Sequence, residues 1–152
     1  MSLTEETPTR QIDPEMAADI AKFEEMLDGY QAGRVEEDVF RVFRLNNGIY
    51  GQRQGGTNQM VRVKVPYGAM TADQLDLLAD VVDDHSRGWG HITTRQNIQF
   101  HFVELTEIPE VMRRMAEVGL TTREACGDTV RNVQGCHLAG ACPLEILDVT
   151  PW

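Results

Sequence analysis

The sequence predicts an α+β fold, and three patterns carry the prediction. They are strand alternation in two segments rich in β-branched and aromatic residues, helical spacing of apolar residues between and after them, and Gly or Pro at the ends of both kinds of segment. The stretch Thr93–Val103, TTRQNIQFHFV, is the sharpest. Read as a strand, it places Gln96, Ile98, Phe100 and Phe102 on a core face and Arg95, Asn97, Gln99 and His101 on the opposite one. A strand that met only water would not need four large hydrogen-bonding side chains headed by an arginine, so this row reads as the wall of a polar ligand site. The second strand is MVRVKVPYG, with Val61, Val63 and Val65 inward, Arg62 and Lys64 together on the other face, and Pro66 and Gly68 ending it.

Taken in order, residues 1–12 are polar and expected to be mobile. Asp13 offers an N-cap and Pro14 suits the first helical position, with Met16, Ile20, Phe23, Leu27 and Tyr30 at helical spacing before Gly33. A short helix around Glu36 to Phe43 is expected to present Val39, Phe40 and Phe43 to an apolar neighbour. The Gly-, Asn- and Gln-rich run Leu45 to Gln59 reads as a loop or loose hairpin, in which Tyr50 and Arg53 are able to do chemistry. Thr71 and Gln74 form a capping box for a helix with the apolar stripe Leu75, Leu78, Val82 and His85, closed by Gly88. His85 reads as a partly buried helix-end histidine. A further helix over Glu107–Val118 places Ile108, Met112 and Met115 in the core and ends at Gly119. A last strand is expected near Thr129–Val133. With the long stretch split at Thr94, the order becomes β-α-β-β-α-β, the ferredoxin-like arrangement. The boundaries expected are a helical arm over 1–44, this half domain over 45–122, and the start of a following domain over 123–152.

The chain has 152 residues, 41% hydrophobic and 25% charged, as in an ordinary soluble domain. No run approaches the ~18 apolar residues of a membrane span, and MSLTEETPTR lacks the basic start and apolar core of a signal peptide. No membrane partner and a cytoplasmic location are expected, with three cysteines as thiols or ligands and not a disulfide framework. The net charge of −10 is uneven: residues 1–40 hold 11 acids and 3 bases, whereas no acid occurs between Asp38 and Asp73, a window holding Arg41, Arg44, Arg53, Arg62 and Lys64. Between Asp84 and Glu104 the formal charges are Arg87 and Arg95. An acidic chain that keeps carboxylates out of two segments is reserving them for an anion, unless both windows are solvated surface arising by chance. The absence of an overall basic footprint argues against nucleic acid.

Arg131, between Val130 and Val133, adds a third arginine on or beside predicted strands after Arg62 and Arg95. A guanidinium stays charged at any accessible pH and its planar fork matches carboxylates, so several on one face imply a polyanionic ligand; the bland alternative pairs each with a surface Asp or Glu. Cys136 and Cys142, a C-x5-C spacing with His137 inside, suggest an iron–sulfur or zinc site only if Cys126 or another residue completes it. No C-x2-C pair is present, so buried or semi-buried thiols are the preferred reading and no metal ligand is assigned.

MVRVKVPYG, RGWGHITTRQNIQFHF and CGDTVRNVQGC, in that order and spacing, resemble the N-terminal part of the siroheme-dependent sulfite and nitrite reductases, from about Phe40 to Pro143 and including IYGQRQ. The resemblance implies a ferredoxin-like half domain followed by the beginning of the domain that holds siroheme and a [4Fe–4S] cluster. It implies that Arg95, with Asn97, Gln99 and His101, lies along siroheme and meets its eight peripheral carboxylates, Arg53 of the IYGQRQ segment being counted with this cofactor-binding set. It implies that Arg62 and Arg131 are catalytic, holding sulfite or nitrite on the distal face and assisting removal of oxygen as water in a six-electron reduction. Tyr50 and Cys126 match neighbours of siroheme that are cross-linked in some relatives, and a cross-link here is a hypothesis. Relatives are several times longer, repeat the half domain, and supply two distal lysines and four late cluster cysteines. The chain therefore reads as an N-terminal fragment or truncated frame, inactive by itself, whose parent takes electrons from ferredoxin or a flavoprotein. An unpaired half domain is expected to expose an apolar edge and form a homodimer. The alternatives are a self-associating anion- or tetrapyrrole-binding module and a small Cys-ligated electron carrier.

Overall fold

In the computed structural model residues 11–149 are described; nearly all of the polar 1–12 segment lies outside them. Four strands, β1 (Ile49–Gly51), β2 (Asn58–Val63), β3 (Gly90–Ile92) and β4 (Ile98–Glu104), form one antiparallel sheet in the order β1-β2-β4-β3. Helix α3 (Ala72–His85) connects β2 to β3, and α4 (Ile108–Glu117) follows β4 after a 3-10 turn at Leu105–Glu107. These elements give the α+β, ferredoxin-like half domain that the periodicities predict. Two earlier helices, α1 (Pro14–Gln31) and α2 (Glu37–Asn46), pack on it, α1 against α2 and α4, and α2 also against β1.

The helices start where local chemistry dictates. Asp13 Oδ1 accepts from the Glu15 and Met16 amides, satisfying N–H groups that have no intrahelical partner. The Thr71–Gln74 capping box is complete at the head of α3. Their inner faces and the alternate residues of β2 and β4 make one core: Phe23, Val61, Val63, Val81, Phe100, Val103, Val111 and Met115 are all fully enclosed. Each such side chain is worth about 1.5–3 kcal/mol relative to exposure. Because Val61 and Val63 face this core, Arg62 is carried on the opposite face of the sheet.

The structure departs from the periodicity in four places. First, α3 buries Leu78 and Val81, while Leu75 is 55% exposed, so its stripe is rotated toward α4 and β4 from the expected one. Second, α2 buries Phe40 and half-buries Phe43, where it meets Phe23, but leaves Val39 facing water. Third, no strand forms over Thr129–Val133. Val130 and Val133 are 76% and 70% exposed and have no apolar surface to cover. The outer edge of β2 is covered instead by β1, with Ile49 opposite Val61, and by a single bridge between Lys64 and Thr121. Fourth, β4 starts at Ile98: Thr93–Gln96 is a turn closed by Gln96 N–H to Thr93 O at 2.9 Å, so Arg95 sits in a hairpin loop and not in the strand.

Gly48 lets the covering layer lie close. It has φ +78°, and a Cβ there would come 2.3 Å from the Thr122 carbonyl oxygen and 2.8 Å from that of Arg62. Gly48→Ala is expected to lose about 1–3 kcal/mol, seen as a lower urea midpoint with unchanged slope. Gly33→Ala, at φ +69° with nothing within 4 Å, should lose less, and the difference measures the close approach.

Candidate functional site

The site begins with a fault in the ladder between β2 and β4. Val61 pairs with Phe100 and Gln59 with Val103, so β4 spends two residues, His101 and Phe102, opposite Met60. This β-bulge has Phe102 at φ 63°, rare for a bulky side chain. It reverses the alternation beyond it: Val103 enters the core, and the expected core residue Phe102 comes partly out, with the Arg87 guanidinium 3.6 Å above its ring. The main-chain groups of the bulge are taken by side chains. Phe102 N–H donates to Gln52 Oε1 at 2.5 Å, and Ser86 Oγ donates to the His101 carbonyl at 2.6 Å.

On the polar face Arg62 and Gln99 are register partners. Arg62 donates to Gln99 Oε1 from Nε at 2.9 Å and from Nη2 at 2.6 Å, and from Nη1 to the Ala125 carbonyl at 3.3 Å. Gln99 Nε2 meets His91 Nε2 at 2.7 Å. The rings of His91 and His101 stack at 5.0 Å, with Trp89 stacked on His101 at 5.3 Å. Gln52 Oε1 is committed to an amide, so its NH2 group faces His101 Nδ1 at 3.3 Å, and Nδ1 must accept. The His101 ring proton is thereby placed on Nε2, which is buried and finds no partner among the described residues.

Asn97 is not a free wall residue. It is buried, and its Oδ1 accepts from the Val65 amide at 3.1 Å. Asn132 grips the same residue from the other side, donating from Nδ2 to the Val65 carbonyl at 2.6 Å and to the Arg95 carbonyl at 2.9 Å. Two asparagines thus hold the end of β2, the hairpin that bears Arg95 and the segment that bears Arg131.

These supports leave Arg95 and Arg131 exposed and Arg62 half-buried around a cleft of ≈ 230 Å³ that Thr93 and Ala125 help to line. Arg62 and Arg131 also border a second cleft of ≈ 250 Å³ with Tyr50, Met60 and Cys126. No carboxylate lines either cleft, and among the described residues none of the three arginines is ion-paired. Several cations elsewhere are neutralised: Lys64 meets Glu124 at 3.4 Å, Arg114 meets Asp84 at 2.7 Å, Arg123 meets Asp19 at 2.9 Å, and Arg113 meets Glu24, whereas Arg44 bonds Gln59 and Arg87 covers the Phe102 ring. Arg53 lies exposed in the loop between β1 and β2 and borders neither cleft. Cys126 is buried; desolvation pushes its thiol above the ordinary cysteine range, with Arg62 and Arg131 pulling the other way. Cys136 is exposed and Cys142 half-buried, and among the described residues no three His, Cys, Asp or Glu side chains are grouped to hold a metal.

Sequence reasoning missed Gln52, Trp89, His91 and Asn132. Only His91 left a signal, a second histidine on the hairpin that carries the polar row. Gln52 reaches the bulge across 50 positions, and Asn132 between two valines looks like a strand interior.

The sheet has the ferredoxin-like half-domain arrangement, and its open face carries arginines without an ion pair beside a rung of amide and imidazole side chains. Residues 50–118 match the nitrite/sulfite reductase ferredoxin-like half domain. The chain is 36% identical to an assimilatory ferredoxin-dependent nitrite reductase of Haloferax mediterranei, over 68% of this chain and 20% of that protein. It is 43% identical to a ferredoxin sulfite reductase of Mycobacterium tuberculosis, over 60% of this chain and 16% of the relative. Among solved structures, that of the Mycobacterium tuberculosis NirA protein superposes with a TM-score of 0.69 at 30% identity, covering 86% of this chain and 29% of that one. The chain belongs to the siroheme-dependent nitrite and sulfite reductase family and corresponds to its N-terminal portion. It spans about one fifth of the length of the curated relatives it matches.

Two outcomes follow from the environments. Exposed Cys136 should be alkylated by iodoacetamide at pH 7.5 well before buried Cys126, with peptide mass mapping as the readout. Burial, and then His91, lowers the His101 titration below the ordinary value of 6.5. The neutral ring therefore contributes stability that is complete above about 6.5 and is lost as pH falls through the lowered value. Thermal midpoints across this range should fall on acidification, and the slope should shrink in His101→Gln.

Proposed function

We propose that this chain supplies the siroheme- and substrate-facing N-terminal portion of a ferredoxin-dependent enzyme that reduces sulfite to sulfide or nitrite to ammonia by six electrons. The observation that carries this reading is the set of three guanidiniums, Arg62, Arg95 and Arg131, around clefts bordered by no carboxylate. Siroheme is a polycarboxylate, and planar forks left without protein anions suit it. The unpartnered His101 Nε2–H fits the same ligand, since a buried donor is costly until an acceptor arrives. When bound, siroheme supplies an iron centre for the substrate and a conjugated ring through which electrons reach it.

The protein's own residues divide the remaining work. Arg95 and His101 meet the peripheral carboxylates, buried Gln99 holds Arg62, Asn97 fixes the turn that carries Arg95, and Arg53 extends the positive field from the neighbouring loop. Arg62 and Arg131 hold the substrate oxyanion and stabilise charge that builds on departing oxygen. A guanidinium does not release its proton at accessible pH, so the protons that convert oxygen to water arrive from solvent or other acids and not from these arginines. Tyr50 and Cys126, which border the cleft shared by Arg62 and Arg131, are neighbours of the same pocket. Residues 123–149 begin the domain that follows the half domain, and the ligands of the [4Fe–4S] cluster are assigned to no residue of this chain. The nitrite and sulfite reductase relatives use ferredoxin, and ferredoxin is the electron donor on this reading.

A second reading, a self-associating anion-binding module, draws on the open edge of β3, where Ile92 is 72% exposed. A clean monomer in sedimentation at high concentration would remove this second reading.

Absorption titration of the purified chain with siroheme tests the main reading. Arg95→Ala should weaken binding about ten- to hundredfold, the worth of one or two charge-assisted hydrogen bonds, while Gln54→Ala in the outer loop should leave it unchanged. Equal affinity for wild type and Arg95→Ala would remove the assigned role.

A further inference from the structure

We propose that His91 is a positioning residue for Arg62, acting through Gln99 and only in its neutral, Nδ1-protonated form. The three residues form one rung across three adjacent strands. His91 of β3 is the register partner of Gln99 in β4, and Gln99 is the register partner of Arg62 in β2. All three side chains therefore stand on the face away from the core, about 4.8 Å apart along the rung.

The direction of the hydrogen bonds is fixed from the arginine end. A guanidinium has donors and no acceptor. Nε and Nη2 of Arg62 both converge on Gln99 Oε1, at 2.9 and 2.6 Å. The amide oxygen must face Arg62, so the amide NH2 faces His91 Nε2 at 2.7 Å. That nitrogen must then carry a lone pair, which puts the ring proton on Nδ1. A proton on Nε2, in the other tautomer or in the imidazolium, would set donor against donor. Relief by flipping the amide would turn its NH2 group onto the guanidinium and abolish both hydrogen bonds to Arg62.

His91 is exposed, and among the described residues its ring contacts are aromatic apart from Gln99. Trp89 of its own hairpin and His101 of β4 stack on its ring, at 6.2 and 5.0 Å, and beyond Gln99 the nearest cation on β2 is Arg62. Arg87 is engaged over Phe102. Among the described residues no carboxylate is hydrogen-bonded or ion-paired to His91.

The rung decides which edge of Arg62 is presented. Gln99 occupies the Nε–Nη2 edge, and the remaining nitrogen, Nη1, makes only a 3.3 Å contact with the Ala125 carbonyl. Arg62, which lines both clefts, thus keeps the outer hydrogens of Nη1 and Nη2 off the edge that Gln99 occupies. Loss of the acceptor at His91 Nε2 frees Gln99 to turn, and Gln99 then frees Arg62, so the substrate-facing guanidinium is loosened although nothing within the clefts has changed. This consequence for substrate rests on the proposed function; the rung itself does not.

The test uses the uniformly 15N-labelled 152-residue chain at pH 8 without siroheme or added oxyanion, so that its outcome is independent of the siroheme titration. Long-range 1H–15N spectra should show His91 with a protonated Nδ1 and a lone-pair Nε2, the reverse of the tautomer that a free histidine side chain prefers in water. Gln99→Leu should return His91 to the Nε2–H form. Arg62→Met, which removes no atom touching His91, should also erode the Nδ1–H preference, because the amide is then free to turn. In His91→Phe, which keeps a ring in the stack, the Arg62 Nε–H should exchange with water about tenfold faster, the scale of one lost hydrogen bond. An Nε2–H tautomer in the wild type, an unchanged tautomer in Arg62→Met, or unchanged exchange in His91→Phe would each overturn the proposal. A rung that passes these tests in a chain that does not bind siroheme would remove the proposed function and leave the positioning role.

Discussion

Much of this structure answers a single constraint: Arg62 is half-buried on the open face of the sheet, and its five donors must be satisfied without its charge being cancelled. A carboxylate would satisfy them and destroy the field. The chain uses neutral acceptors instead, the Gln99 amide oxygen and the Ala125 carbonyl. Both choices propagate. The amide must be oriented by something beyond it, which brings in β3, and the carbonyl must be brought in from residue 125, which requires the segment after α4 to fold back onto β2. Gly48 makes that return feasible by letting the Thr122 backbone lie against the start of β1.

The bulge at His101 and Phe102 shows the same economy. An extra residue in a strand strands polar backbone groups and exposes apolar surface, both costs. Gln52 and Ser86 take the backbone groups, and Arg87 caps the Phe102 ring. In return His101 is aimed along the stack with His91 and Trp89, and its Nε2 is left as an unused donor. A strand in unbroken alternation would have put Phe102 in the core in place of Val103 and could not have set His101 and Phe102 together opposite one residue of β2.

The parts of the fold legible in sequence were those set by local chemistry. The Asp13 and Thr71 caps, the Val61-Val63-Val65 alternation and the Ile108-Met112-Met115 stripe depend on neighbours within one or two turns. Arg62 and Arg95 were legible for another reason, the lack of acids around them in the chain, and Arg131 for its apolar neighbours Val130 and Val133. What could not be read depends on partners far away. Val81, and not Leu75, is buried because of where α4 and β4 lie. Phe102 leaves the core because Gln52, 50 positions earlier, accepts its amide proton. Asn97 and Gln99 looked like ligand-facing residues because their polarity is visible in sequence, whereas their prior commitments to Val65 and Arg62 are not.

The segment that carries Arg131 hangs from the domain mainly by amide side chains and isolated main-chain contacts: Asn132 to Val65 and Arg95, Gln134 to Thr94, Gln96 to Gly135, and the Tyr67 amide to Val133. A strand can shift past its neighbour only by whole residues, because its ladder is quantised. A suspension of this kind has no such steps, and small changes in the hangers move the guanidinium by fractions of an ångström while the sheet stays where it is. The spacing between Arg131 and Arg62 is therefore held by side-chain hydrogen bonds and one main-chain bond, not by a strand ladder.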